Sequence, residues 1–396
     1  MAVKPKIFSF FAGSGFLDLG FEVSGYEIVY VNEIFKPFMA AYKYSRVNLN
    51  LPLPEYGYHD GEDNDVNKLI ESSHANYLNN FVKDCRTNDT NVIGFIGGPP
   101  CPDFSIGGKN RGYLGDNGKL SSVYVELICQ HMPDFFVFEN VKGLWKTKKH
   151  NLFYQSLKVK LQSAGYILTD RLINAIEYGA PQDRDRIILI GFHSHFLSKI
   201  GVFGFEFPWQ KYIVYPRSVV FSYPWHQCEP FEVDSVIPCP LTIPEELTVE
   251  SWFRKNNVLN HPNSQHYFQP RAGISKFASI AEGDDSRKSF KRLHRWRYSP
   301  TACYGNNEVH LHPYKVRRIS VAEALAIQSL PQSFVLPDDM SLTNMFKTIG
   351  NGVPYLASKA IAQSIIDFIN QATLLWGGHP EPPNTSGTGK DAHSTI

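Results

Sequence analysis

Short apolar runs alternate with amphipathic stretches through the first half of the chain. Ile7-Phe8-Ser9-Phe10-Phe11, Tyr26 to Val31, Val92 to Ile96, Phe135 to Phe138, Tyr166 to Ile173 and Ile187 to Ile190 have the length and apolar continuity of buried strands. Between them, Leu17 to Glu22, Pro37 to Tyr44, Ser122 to Gln130 and Leu152 to Ala164 carry helical spacing. Strands alternating with helices predict an α/β fold with a doubly wound, mostly parallel sheet and ligands at the strand C-termini. After Phe192 the rhythm stops. Prolines, aromatics and short strand-like pieces follow until about residue 315, which predicts a second, smaller, irregular and mainly β domain. Ile319 to Gln328 and Tyr355 to Ile369 again have helical spacing. The expected organisation is therefore 1–192 for the sheet domain, 193–330 for the second domain and 331–372 for a return to the first. The tail 377–396 is expected to be disordered for lack of apolar content.

Composition narrows the function classes. The chain of 396 residues is 43% hydrophobic and 19% charged, as ordinary globular proteins are, and no run of eighteen apolar residues suggests a membrane span. Six scattered cysteines without a C-x-x-C pair argue against zinc and against a disulfide scaffold, so no metal and a reducing, cytoplasmic setting are expected. No cleavable apolar leader follows Met1. Net charge is only +1, but Arg287, Lys288, Lys291, Arg292, Arg295 and Arg297 cluster around Phe290, His294, Trp296 and Tyr298. That mixture suits phosphate contact, or equally a solvated face.

Four places can carry chemistry. Phe11-Ala12-Gly13-Ser14-Gly15-Phe16 puts glycines where a strand meets a helix, and the next strand ends in Asn32-Glu33, whose carboxylate can accept ribose hydroxyls. Together they suggest an adenosine cofactor, with a solvated strand end as the alternative for Glu33. Gly97-Gly98-Pro99-Pro100-Cys101 holds a thiol on a stiff turn, fit for a nucleophile, although an isolated Pro-Pro-Cys also occurs as an inert thiol. Phe138-Glu139-Asn140-Val141 places a carboxylate at another strand end, where partial burial would raise its pKa; a helix-capping pair at the start of the following helix is the alternative. Gln182-Asp183-Arg184-Asp185-Arg186 would put two guanidiniums on one face of a strand, to hold a substrate oxygen or to form a salt-bridge ladder.

In this order these pieces resemble the DNA (cytosine-5)-methyltransferase family, of the bacterial restriction-modification type, over about residues 7 to 369. FAGSG, Asn32-Glu33, GGPPC, FENV, QDRDR, RRISVAEALAIQSLP (317–331) and GNGVP (350–354) match its motifs. The resemblance implies a fold that binds S-adenosyl-L-methionine and an enzyme that methylates carbon 5 of a cytosine flipped out of double-stranded DNA. It assigns Cys101 as the nucleophile that adds to carbon 6, Glu139 as the group facing ring nitrogen 3, Arg186 as the holder of the base's carbonyl oxygen and Arg184 as its neighbour. Phe11, Gly13, Gly15, Glu33, Pro100, Leu120, Asn351 and Val353 are implied to hold the cofactor. Asp65 is preferred over Asp60 and Asp63 as the adenine-binding acid.

The segment Ser105 to Gly112 matches the family's closing loop, and region 193 to 315 its target-recognition domain, with Pro300-Thr301-Ala302 and Gly305-Asn306-Asn307 near that domain's end. Two departures stand out. Phe16 replaces a usual second glycine, with the expectation of a narrower pocket, and Pro102-Asp103 follows the cysteine. A monomer is the family default. A tRNA cytosine-5 methyltransferase shares the catalytic frame, but a recognition region of about 120 residues favours duplex DNA.

Overall fold

The computed structural model describes residues 4–54, 57, 64–70, 72–86, 91–100, 116–202, 205–270, 274–287, 289–304 and 308–376. Cys101, Asp60, Asp63, Lys288, Gly305-Asn306-Asn307, the segment 102–115 and the tail from Gly377 lie outside them. Six strands form one sheet: β1 (Lys6–Phe10), β2 (Glu27–Asn32), β3 (Ile93–Gly97), β4 (Phe135–Val141), β5 (Tyr166–Asn174) and β6 (Asp185–His193), in the order β2-β1-β3-β4-β6-β5. The β2-β1-β3-β4 pairs are parallel, whereas β6 runs antiparallel to both β4 and β5. The strand order reverses between β1 and β3, so a crevice opens there at the strand C-termini.

Alternation along each central strand explains the unbroken apolar runs. Phe136 and Phe138 of β4 and Ile187 and Leu189 of β6 enter one core, with Phe8, Phe95 and Tyr124; Phe135, Val137, Ile188, Ile190 and Phe192 enter the other. On the first face lie α3 (Ser72–Cys85), α4 (Asp116–His131) and α6 (Lys148–Ser163), and on the second α1 (Phe16–Glu22) and α13 (Tyr355–Trp376). The chain also forms α2 (Lys36–Asn48), α5 (Lys142–Lys146) and α7 (Ser194–Lys199). Phe196, Phe205, Phe207 and Trp209 still pack on the second core, so the chain stays on the sheet unit well past residue 192.

The second unit carries α8 (Arg217–Val220), α9 (Val249–Lys255) and α10 (Ile274–Ala278). It is not mainly β: its described residues hold only isolated bridges, such as Glu229 to Glu282 and Arg292 to Leu311. Prolines at 216, 224, 230, 238, 240, 244, 262 and 270 remove the ladder donors that strands there would need. A third core joins Phe16, Phe38, Trp252 and Phe253 to α11 (Val321–Ile327) and α12 (Leu342–Asn351), tying both units together. No described helix is long and apolar enough to cross a membrane.

Candidate active site

The first turn leaves β1 through three consecutive constraints. Phe11 has φ +55°, Gly13 +58° and Gly15 +81°, the left-handed region that a side chain resists. A Cβ on Gly15 would stand 2.3 Å from Arg46 Nη1, whereas the same probe at Gly13 meets nothing nearer than Thr348 Oγ1 at 4.0 Å. The chain is thus closed on one side of the turn and open on the other. Ser14 Oγ shares a 2.7 Å hydrogen bond with Thr348 Oγ1, which fixes the turn to α12.

Glu33 crosses from the end of β2 to this turn. Gly13 N–H donates to its Oε2 at 2.9 Å and Phe35 N–H to its Oε1 at 2.8 Å. Burial raises its pKa, and those two backbone donors and Lys347 pull it back only partly. Asn64, fully buried, receives Asn32 Nδ2–H on its carbonyl at 2.8 Å and so lays the following Asp65 beside the same strand end. Asp65 accepts from its own turn, from Asn67 N–H at 3.0 Å. Open backbone at Gly13 and a half-buried carboxylate with spare lone pairs fit an adenosine with free ribose hydroxyls. Pro100 lies three residues past the end of β3 and Leu120 sits on α4, both half-buried; Asn351 ends α12 exposed, and Val353 is buried.

Phe16 does not narrow this crevice. It is 2% exposed, with its ring edge-on to Phe334 at 5.0 Å and directly under Gly352, where a Cβ would lie 2.1 Å from Cδ2. A large residue is accommodated because the turn points it into the third core.

The second part of the site lies at the ends of β3, β4 and β6. Gly97 pairs with Phe138, so the residues that follow, Gly98 and Glu139, stand side by side; a Cβ on Gly98 would lie 2.7 Å from Glu139 Oε2. Val141 pairs with Arg186, which places Arg186 diagonally opposite Glu139 on the same face. Arg186 Nε meets Glu139 Oε1 at 2.7 Å. Burial, the strongest influence, pushes the Glu139 carboxyl up, and Arg186 and Arg184 do not cancel it. A carboxyl that protonates easily beside a fixed cation can donate to a ring nitrogen while the cation holds an oxygen.

Arg184 does not share that face. Its guanidinium, 1% exposed, donates to the carbonyls of Ala302 (3.0 Å), Gly350 (2.7 Å) and Gly352 (3.0 Å). Burial and then Arg186 lower its pKa, but not enough to discharge it at neutral pH. The two-guanidinium face expected from alternation fails because Arg184 precedes β6 and lies in a connection, where strand periodicity does not apply. Sequence reading gave no role to Gln182, which is completely buried. Its Oε1 accepts from Ala302 N–H at 3.0 Å and its Nε2 donates to Gln328 Oε1 at 3.3 Å. The signal was its place at the head of QDRDR.

Two members of the basic cluster of the second unit, Arg292 and Arg295, are buried, so neither serves the phosphate contact or the solvated face that the sequence left open for them. Arg292 donates to the carbonyls of Ile280, Phe277, His312 and Lys315 and lies 3.7 Å over the Phe231 ring. Arg295 is paired with Glu282 and Ser235, and Arg297 with Asp285. Arg287 alone among the described members is exposed. His226, Glu229 and His294 also gather there, with His226 Nδ1 2.6 Å and His294 Nε2 3.8 Å from Glu229 Oε1. They do not make a convincing metal site. His294 Nδ1 accepts from Trp296 N–H at 3.0 Å, so the proton of the neutral ring sits on Nε2, the atom a metal would need.

Known proteins agree with this architecture. The family model for C-5 cytosine-specific DNA methylase matches residues 5–367. The Type II methyltransferase M.NmeDI of Neisseria meningitidis serogroup C is 56% identical over 366 residues, covering 92% of this chain and 84% of that protein. Among solved structures, a chain described as a DNA modification methyltransferase encoded within an E. coli prophage aligns with TM-score 0.60 and 20% identity, over 93% of this chain and 100% of that one. The Dnmt2 methyltransferase of S. pombe aligns at 0.56 and 12% identity, over 93% and 99%, a likeness of fold. With the strand ends, the matched motifs and a relative this similar in agreement, the chain belongs to the C-5 cytosine-specific DNA methylase family.

Proposed function

We propose that this chain is the sequence-specific modification enzyme of a restriction-modification pair, which methylates carbon 5 of a cytosine flipped out of double-stranded DNA. The observation that carries the reading is the Glu139–Arg186 pair at the sheet edge beside Gly98, three residues before Cys101. In this reading the Cys101 thiolate adds to carbon 6 and breaks the ring's aromaticity, so that electron density moves to carbon 5. Glu139 donates to ring nitrogen 3 and Arg186 holds the carbonyl oxygen, offsetting charge as it develops. Once carbon 5 carries the methyl group, loss of its proton expels the thiolate by β-elimination. Extrusion of the base costs on the order of a few kcal/mol of stacking and pairing.

S-adenosyl-L-methionine would supply the sulfonium methyl as electrophile. Phe11, Gly13, Gly15, Pro100, Leu120, Asn351 and Val353 would line its site, with Glu33 on the ribose and Asp65 on the adenine. Arg184 and Gln182 would act as positioning residues that join QDRDR to GNGVP. We place the start of the recognition unit after Ile213, where packing on the sheet ends, and read the enzyme as a cytoplasmic monomer without a metal. Cys101→Ala should abolish methyl transfer while leaving cofactor affinity nearly unchanged; full activity in that variant would refute covalent catalysis. Bisulfite mapping of DNA from an expressing host reads out the target sequence, whereas a blank map with methylated tRNA would point to the RNA enzyme instead.

A further inference from the structure

Glu139 and Arg186 meet at the sheet edge, and what holds them there lies one residue away. Arg186 Nε meets Glu139 Oε1 at 2.7 Å, and its Nη1–H donates to the backbone carbonyl of Asp185 at 2.8 Å. The guanidinium therefore hangs between Glu139 and the chain at 185, with its remaining N–H groups left for a carbonyl oxygen. Wherever Asp185 is held, Arg186 follows.

Asp185 is held by its side chain, which is 11% exposed. Strand alternation turns it to the other face from Arg186, and three elements converge on it there. Asn174, completely buried at the end of β5, donates from its amide to Oδ1 at 3.0 Å. Lys142, the first residue of α5 and three past Glu139, pairs with Oδ2. Arg217, the first residue of α8 in the second unit, brings Nη2 to Oδ1 at 2.9 Å. Burial would raise this carboxyl, but the hydrogen bond from Lys142, the charge of Arg217 and the Asn174 amide outweigh it and hold it below its ordinary range. It stays an anion through the neutral range, so both cations keep their partner. An isolated exposed ion pair adds little, whereas several charges on one carboxylate form a network whose members fix one another. This one ties together β4 past Glu139, β6 ahead of Arg186 and the first helix of the second unit.

We propose that Asp185 is a positioning residue for the Glu139–Arg186 pair, and that Arg217 transmits the seating of the second unit to that pair through it. The inference rests on the reading of the chain as a DNA methyltransferase. The test is steady-state methylation of a duplex oligonucleotide carrying the mapped target site, with kcat and both KM values measured on the full chain. D185N should lower kcat by about 10- to 10²-fold, the usual cost of moving a contact group by up to an ångström, with both KM values nearly unchanged. R217E, which sets a second carboxylate against Asp185 from a half-exposed position, should lower kcat by about tenfold. R217K keeps the charge and should keep the rate. Because Arg217 acts through Asp185, adding R217E to D185N should cost nothing further. K160Q, which opens the exposed Lys160–Glu126 pair on α6, should retain the wild-type kcat. Should D185N fail to fold, the loss in R217E and its absence in R217K decide alone. Wild-type kcat in folded D185N, or equal losses from R217E with and without Asp185, overturns the inference while wild-type methylation leaves the enzyme reading intact. A rise in KM for DNA that R217E causes in both backgrounds overturns it too, because Arg217 would then meet the duplex itself. A wild-type chain that methylates no duplex DNA overturns both.

Discussion

Two arginine–glutamate pairs, each 2.7 Å apart, serve opposite ends in this molecule. At the sheet edge Glu139 meets Arg186 through a single nitrogen, and its other oxygen faces Gly98. In the second unit Glu282 takes the backbone N–H, Nε and Nη2 of Arg295, so both of its oxygens are engaged. Burial pushes both carboxyls up. At Glu139 that push prevails over Arg186 and Arg184; at Glu282 the hydrogen bonds and charge of Arg295 outweigh it, and the carboxyl lies below its ordinary range. A carboxylate saturated with donors is a fixed anion that holds a core together. One with too few donors is left ready to take a proton, and that is what chemistry on a ring nitrogen requires.

The sharpest way to separate the two pairs is to neutralise each. Glu139→Gln should lower kcat by about 10²- to 10⁴-fold, the usual weight of a positioned proton donor, with thermal unfolding nearly unchanged. Glu282→Gln should do the reverse: it leaves Arg295 without its anion inside the fold and costs about 3–5 kcal/mol of stability, read as a lower midpoint in thermal or urea unfolding. Comparable activity loss in both variants at a temperature where both are folded would erase the distinction.

A smaller effect tests whether the position of Glu139 matters as well as its proton. Gly98→Ala would put a Cβ 2.7 Å from Glu139 Oε2, while Arg186 grips the other oxygen. The carboxyl must then move by some tenths of an ångström to an ångström, and a loss of up to about 10²-fold in kcat follows. Cofactor affinity, measured by calorimetry, should stay constant. Wild-type kcat in this variant would mean that the carboxyl has more room than the geometry gives it.

The difference between the pairs was only half legible in the chain. The strands were readable because β3, β4 and β6 are buried on both faces and so are nearly unbroken runs of apolar residues. Helix α3 is hard to read from the chain, although Ala75, Leu78, Phe81, Val82 and Cys85 keep helical spacing, because Asn76, Asn79 and Asn80 between them are residues that favour turns. Glu139 and Arg186 were each flagged by motif, but what brings them together is the antiparallel pairing of β4 with β6, which a βα rhythm does not announce. Arg292 and Arg295 read as surface because their partners are remote: Ser235 lies 60 residues from Arg295, and the carbonyls around Arg292 come from two stretches, 277–280 and 312–315, on either side of it in the chain. Charge in a sequence has no direction until the chain folds around it.

The smallest effect is also the most discriminating, because the two carboxyls must respond to pH with opposite signs. Glu282 is lowered in the fold, so it contributes stability that is present above its unfolded value near 4.5 and is lost as pH falls through its folded value. Glu139 is raised, so its contribution is complete below 4.5 and is lost as pH rises through its folded value. Unfolding midpoints of the wild type and both Gln variants, measured from pH 4 to pH 8, isolate each contribution by difference. The deficit of Glu282→Gln should be full at neutral pH and should narrow as pH drops below 4.5. The stability of Glu139→Gln relative to wild type should instead improve as pH rises from 4 toward neutrality. Differences that run in the same direction would mean that one carboxyl has been assigned the wrong part, and the activity of Glu139→Gln would then decide which.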